Sequence, residues 1–177
     1  MEKMKAKPQL TLTEALKEAM GKLTVMGGRS RRSEYWWCAL VLGLGSYFLG
    51  FIPILGTIIS LAVLLVMIPL SVRRLHDTGH SGWWYGAAML LGCAFTGALT
   101  IKILPIIEKY SESNVEKLGK KLVEAYSDPL VLGLMLASMV MGLVLLVFFC
   151  KDSKPEPNKW GASPKYGTDE EEIEVIG

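Results

Sequence analysis

The chain has 177 residues, 51% of them hydrophobic and 20% charged, a balance that would suit an ordinary soluble domain only if the apolar residues were scattered. They are gathered into four long runs, so the class indicated is a polytopic membrane protein. Cys38, Cys93 and Cys150 fall inside those runs without metal-ligand or disulfide spacing, which argues against redox chemistry, and the net charge of +2 says less than its uneven placement.

An arm covers residues 1–34. Within it "TLTEALKEAMGKL", residues 11–23, opens with a Thr-x-x-Glu capping box and sets Leu12, Leu16, Ala19, Met20 and Leu23 on one stripe at helical spacing. This predicts a short amphipathic helix. It either lies on the membrane, with Lys17 and Lys22 reaching lipid phosphates, or packs against the helical bundle.

The transmembrane domain is expected over residues 35–150, with spans at about 35–52, 54–72, 83–104 and 129–150. More than thirty residues precede the first run and three spans follow it, which is unlike a cleaved signal. Spans one and two are separated only by the region of Pro53, so they form a tight hairpin. Span three carries Lys102 near its end, placed to snorkel to the outer interface. "SNVEKLGKKLVEAY", residues 113–126, reads as a second amphipathic helix on the outer face, with Val115, Leu118, Leu122 and Tyr126 on one side.

Inside the spans, Ala88, Gly92, Thr96 and Thr100 recur at intervals of four, as do Ser138 and Gly142, which suits close helix packing in lipid. The tail, residues 151–177, begins with "KDSKPEPNKWGASPKYG", expected to be a loop without regular structure, and ends in an acidic "TDEEEIEVIG". The expected fold is all-α: four transmembrane helices, an N-terminal amphipathic interfacial helix, and a short amphipathic helix between spans three and four.

Fourteen of the 19 Lys and Arg residues lie in the arm, in the Arg73–Arg74 pair and in the tail, which predicts that both termini are cytoplasmic. That topology brings three polar segments to one membrane surface: "GGRSRRSEYWW", "RRLHDTGHSGWW" and "PNKWGASPKYG". Their candidate binding rim comprises Arg29, Arg31, Arg32, Trp36, Trp37, Arg73, Arg74, His76, Asp77, His80, Trp83, Trp84, Asn158 and Trp160. The middle segment is expected to form the turn between spans two and three.

Three of these stretches carry a family resemblance: "GRSRRSEYWW" at 28–37, "VRRLHDTGHSGWW" at 72–84 and "PNKWG" at 157–161. Through them the chain resembles the small bacterial inner-membrane proteins grouped as domain of unknown function 805, from the arm to about Gly167. The resemblance implies a bacterial inner-membrane location and a multi-span helical fold, and no particular activity, substrate or catalytic residue. The polar helix at 111–128 is longer than the connection such a family leads one to expect.

Several functions fit these residues. The first is a binding or scaffolding module whose arginines grip anionic lipid headgroups or a membrane-protein partner, a second copy of the chain included. In a purely architectural alternative, Arg73 pairs with Asp77 and the glycines shape a turn. A membrane enzyme acting on a lipid phosphate would use His76 as acid or base, Asp77 as its orienter and the arginines as clamps. A metal site would need His76, Asp77 and His80 on one face, and the "TG" between the histidines opposes that. A transporter or oligomeric channel lacks charged groups deep in the spans. No cofactor motif, metal site or nucleic-acid module is expected; the partners expected are the phospholipid bilayer and the occupants of the rim.

Overall fold

A computed structural model of the chain describes residues 4–110 and 115–167. The capping box at Thr11 forms as its sequence requires: the Thr11 N–H donates to Glu14 Oε2 at 2.8 Å and the Glu14 N–H to Thr11 Oγ1. It starts α1 (Leu12–Gly21), which packs on α2 (Arg32–Leu49). The buried line of α1 differs from the expected stripe. Ala15 and Ala19 are its buried residues, and Cys38 Sγ donates to the Ala15 carbonyl at 3.6 Å. Leu12 and Met20 remain 39% and 67% exposed. Small side chains let the two backbones approach, so α1 packs on the bundle and also turns large apolar residues outward.

After Gly50, α3 (Pro53–Asp77) begins with proline at its first position, where a missing N–H costs nothing. It continues through "RRLHD", so the expected turn at 73–82 is shorter than predicted: Arg73, Arg74, His76 and Asp77 occupy the last helical turns. Thr78 closes the helix, Gly79 follows at φ +82°, the Gly79 N–H donates to His76 O at 3.0 Å, and the His80 N–H reaches back to Leu75 O at 2.8 Å. This paired closure needs a left-handed residue after the cap, which glycine adopts without a Cβ clash.

Next come α4 (Trp83–Tyr110), α5 (Val115–Tyr126) and α6 (Pro129–Cys150). α4 outruns its expected end and carries Pro105 internally. In α5, Ala125 is buried and Leu118 and Leu122 are half-buried, while Val115 and Tyr126 are exposed. The capping residues expected at its start, and the acidic end of the tail, lie outside the described residues. The tail is not free of regular structure: β1 (Lys5–Ala6) and β2 (Tyr166–Gly167) pair antiparallel, Lys5 with Gly167 and Ala6 with Tyr166.

The six helices make an all-helical protein among the described residues, apart from that two-residue pairing. Three helices are long and apolar enough to cross a membrane: Ile54–Asp77, Trp83–Tyr110 and Pro129–Cys150, with mean hydropathies of 2.5, 1.9 and 2.7. Their large side chains face outward, Ile58, Leu65, Leu90 and Met139 among them. The bulkiest fully buried side chains are instead Arg73 and Arg74. Apolar residues outside and charges inside are what hydrocarbon as solvent demands.

Contacts divide the chain into two units, one reaching to Tyr85 and resuming at Val147, the other Gly86–Leu146. In the second, Lys102 Nζ meets Asp128 Oδ2 at 2.6 Å, and Asp128 Oδ1 accepts the Leu130 N–H at 3.1 Å, capping α6. Lys102, expected to snorkel, therefore has a carboxylate partner within the protein. The candidate site belongs to the first unit.

Candidate functional site

Asp77 is the centre of the polar cluster. Arg29, from the arm, approaches Oδ1 with Nε at 3.0 Å; Arg74, one turn back on α3, approaches Oδ2 with Nη1 at 2.6 Å; and Ser153 Oγ, from the tail, donates to the same Oδ2. All three ionic side chains are at most 1% exposed. Both carboxylate oxygens are thus occupied, and the remaining guanidinium N–H groups go to backbone. Arg29 donates to the Glu156 carbonyl at 2.9 Å, to Asp77 O at 3.3 Å and to Lys154 O. Arg74 donates to Phe149 O at 3.0 and 3.2 Å and to Lys151 O, filling carbonyls that the end of α6 leaves without helical partners.

A second buried pair lies beside the first. Arg73 Nη2 meets Glu34 Oε1 at 3.3 Å, and Arg73 Nη1 donates to Val25 O at 2.9 Å and to Lys22 O just past the end of α1. Sequence reasoning placed Arg73 on the rim and passed over Glu34, whose one visible signal was being the last charge before span one. The pair joining Asp77 is made by Arg74, three residues away, where the architectural reading named Arg73.

His76 Nδ1 lies 3.1 Å from Gly28 O, and its ring stacks on Trp160 at 4.1 Å with 8° between planes. A carbonyl can only accept, so Nδ1 carries the proton. Asn158 Nδ2 donates to His76 O at 2.9 Å. His80 points elsewhere, stacking on Phe148 at 3.8 Å. The Thr78 hydroxyl donates to Leu75 O at 2.9 Å, leaving it to accept from His80 Nδ1 at 3.0 Å. Burial, then Lys151 and Lys154 nearby, hold the His80 imidazole below the usual histidine range. His76, Asp77 and His80 therefore do not converge, and no cluster of three metal-ligating side chains occurs among the described residues.

Of the rest of the rim, Arg31 is buried, whereas Arg32, Trp36, Trp37, Trp83 and Trp84 are exposed. Trp83 is 81% exposed and Trp84 meets Phe148 edge-on at 5.6 Å. Arg31, Arg32, Ser33, Trp36 and Trp37 line a cleft of about 390 Å³ closed by Gln9 from the arm and Asp152 and Lys165 from the tail. The sequence had marked the arginines and tryptophans; Gln9 and Lys165 adjoin the β1–β2 pairing, which no motif announced, and Asp152, just past α6, meets Lys165 there.

A family model described as "Protein of unknown function (DUF805)" matches residues 23–162. The chain belongs to this family. All three buried ion pairs fall within the matched DUF805 region, whereas Gln9 and Lys165 of the cleft flank it. Among curated proteins it is similar to "Inner membrane protein YhaI" of Escherichia coli K12, 28% identical over 149 residues covering 80% of this chain and 86% of that protein. It is also similar to "Inner membrane protein YhaH" of the same organism, 37% identical over 86 residues covering 42% of this chain and 69% of that protein. No solved structure matches significantly.

Proposed function

We propose that this DUF805 protein is a four-span inner-membrane protein with both termini in the cytoplasm, and that its cytoplasmic Arg/Trp face is a binding or scaffolding platform for anionic lipid headgroups. α2 supplies the fourth span: its uncharged part after Glu34 rises about 22 Å, and the apolar Phe51 and Ile52 beyond it extend the run towards the thickness of a hydrocarbon core. The names of the relatives, the outward apolar side chains and the clustering of Lys and Arg in the arm, the end of α3 and the tail support the location and the orientation.

One observation carries the reading. Asp77, at the end of α3, is gripped by Arg29 from the arm and Ser153 from the tail, so the three polar segments form one fixed body. Chemistry at His76 and Asp77 would require groups that this body already uses: both Asp77 oxygens hold donors and the His76 ring lies against Trp160. What stays outward is a tryptophan and arginine surface suited to a headgroup layer.

The test is lipid composition. Protein purified in mild detergent from a bacterial host should retain phosphatidylglycerol or cardiolipin above their share of the host membrane, measured by mass spectrometry of the extracted lipid. Retention in the host's own proportions would remove headgroup recognition and leave a protein partner, to be sought by crosslinking in the membrane.

A further inference from the structure

We infer that the cleft between the arm, the first turns of α2 and the tail is a site for one anionic phospholipid, its phosphate on Arg31 and Arg32 and an acyl chain along Trp36, Trp37 and Leu40. This rests on the platform reading above and gives it a specific seat. The decisive residue is Arg31, which lines the cleft yet is only 6% exposed. Its Nη2 donates to the Lys7 carbonyl at 3.3 Å and to Pro8 O, which fixes the guanidinium without neutralising it. No carboxylate lies within ion-pair distance of Arg31 among the described residues, whereas Arg29, Arg73 and Arg74 each have one. Glu14 feels the Arg31 charge only from beyond ion-pair distance, so the buried guanidinium has no contact counter-charge, and an anion in the cleft would supply one.

The surroundings favour the same ligand. Asp152 is the carboxylate of the lining, and it is already taken: Lys165 Nζ reaches Oδ2 at 2.5 Å and Tyr166 OH at 3.1 Å. Lys165 cancels Asp152, leaving Arg31 and Arg32 in excess. Arg32 is exposed, and its Nη1 makes a long 3.4 Å bond to Cys150 O. Arg31 is also the N-cap of α2, with no side chain capping the first turn, so unpaired N–H groups and the positive helix end add to the same field.

The cleft then changes character along the helix. Arg32, Trp36 and Leu40 are spaced four apart, so one face of α2 passes from cation to indole to aliphatic over about 12 Å. Trp37 is anchored by its Nε1–H to Leu10 O at 3.1 Å. A charged head joined to a hydrocarbon chain matches that sequence of surfaces; a soluble phosphate ester matches only its upper end. Arginine's planar fork suits phosphate better than lysine would.

The test titrates the full-length protein in detergent with phosphatidylglycerol carrying brominated acyl chains, reading tryptophan quenching. The parent should saturate near one lipid per chain, brominated phosphatidylcholine should not saturate, and Arg32→Gln, at an exposed position, should bind about tenfold more weakly. Leu40→Gln should also weaken quenching while leaving the thermal midpoint near that of the parent. Equal quenching by the two lipids in the parent would overturn both the site and the platform reading. A preference for phosphatidylglycerol that survives Arg32→Gln and Leu40→Gln would overturn this cleft and leave the broader reading standing. Displacement by glycerol 1-phosphate at the lipid's own concentration would assign the cations to a soluble phosphate ester and overturn the acyl-chain placement.

Discussion

Asp77 holds two guanidiniums away from water, so the cost of removing it is set by what is left behind. Truncating one member of a buried charged network strands the others, at about 3–5 kcal/mol, whereas an exposed helix pair such as Lys120 with Glu116 contributes about 0.3–0.5 kcal/mol. Asp77→Ala should therefore lower the thermal midpoint in detergent severely, measured by size-exclusion chromatography after heating, while Glu116→Ala barely moves it. A small shift for Asp77→Ala would mean that the arginines find other acceptors. His80 supplies a pH dependence. Its folded pKa lies below the ordinary value of about 6.5, so its contribution is present above that pH and is lost as pH falls through the folded value. Acidification from pH 7.5 to 5.5 should destabilise the parent more than His80→Gln, read as the difference between their thermal midpoints at each pH.

At the level of elements, the helices were legible because their signals are local. The Thr11 box, Pro53 and Pro129 at helix starts, and the uncharged runs each determine a boundary within a few residues. What escaped was set by distant partners. The face of α1 turns on Ala15 and Ala19 because α2 lies against it, and no periodicity distinguishes an alanine line that packs from a leucine line that faces lipid. The β1–β2 pairing joins residues 160 apart in sequence, with only two on each side, far too short for a strand pattern. The site was legible to the same extent: "RRLHD" and "GRSRR" announced a polar convergence, but not which arginines turn inward. The hairpin between α2 and α3 also has a steric reason hidden from composition. A Cβ at Gly56 would stand 2.7 Å from the Gly50 carbonyl oxygen, whereas at Gly43 it would meet nothing within 4 Å. Gly56→Ala must therefore spread the hairpin and lower the thermal midpoint, and Gly43→Ala should not; equal effects would show that the close approach is relieved at little cost.

Across the whole molecule, the proposed orientation rests on where cations gather and on how many times the chain crosses. Fourteen of the 19 Lys and Arg residues belong to the arm, the end of α3 and the tail, and the buried contacts of Arg29, Arg74 and Ser153 with Asp77 require those three pieces to share one side. An even number of crossings separates the arm from the tail under that requirement. Three of the helices meet the length and hydropathy needed to cross, and three crossings would leave the arm and the tail on opposite sides, which the Arg29 and Ser153 contacts forbid. The proposed topology therefore makes α2 the fourth crossing, with its apolar stretch beginning only after Glu34, which pairs with Arg73. A phosphatase reporter, active outside the cytoplasm, should be silent when fused after residue 165 and active when inserted near residue 117, with a fluorescent cytoplasmic reporter giving the opposite pattern. The discriminating result is the pair taken together. The same signal from both positions would mean that the chain between them crosses an even number of times, and α6 would have to lie on the surface despite its hydropathy.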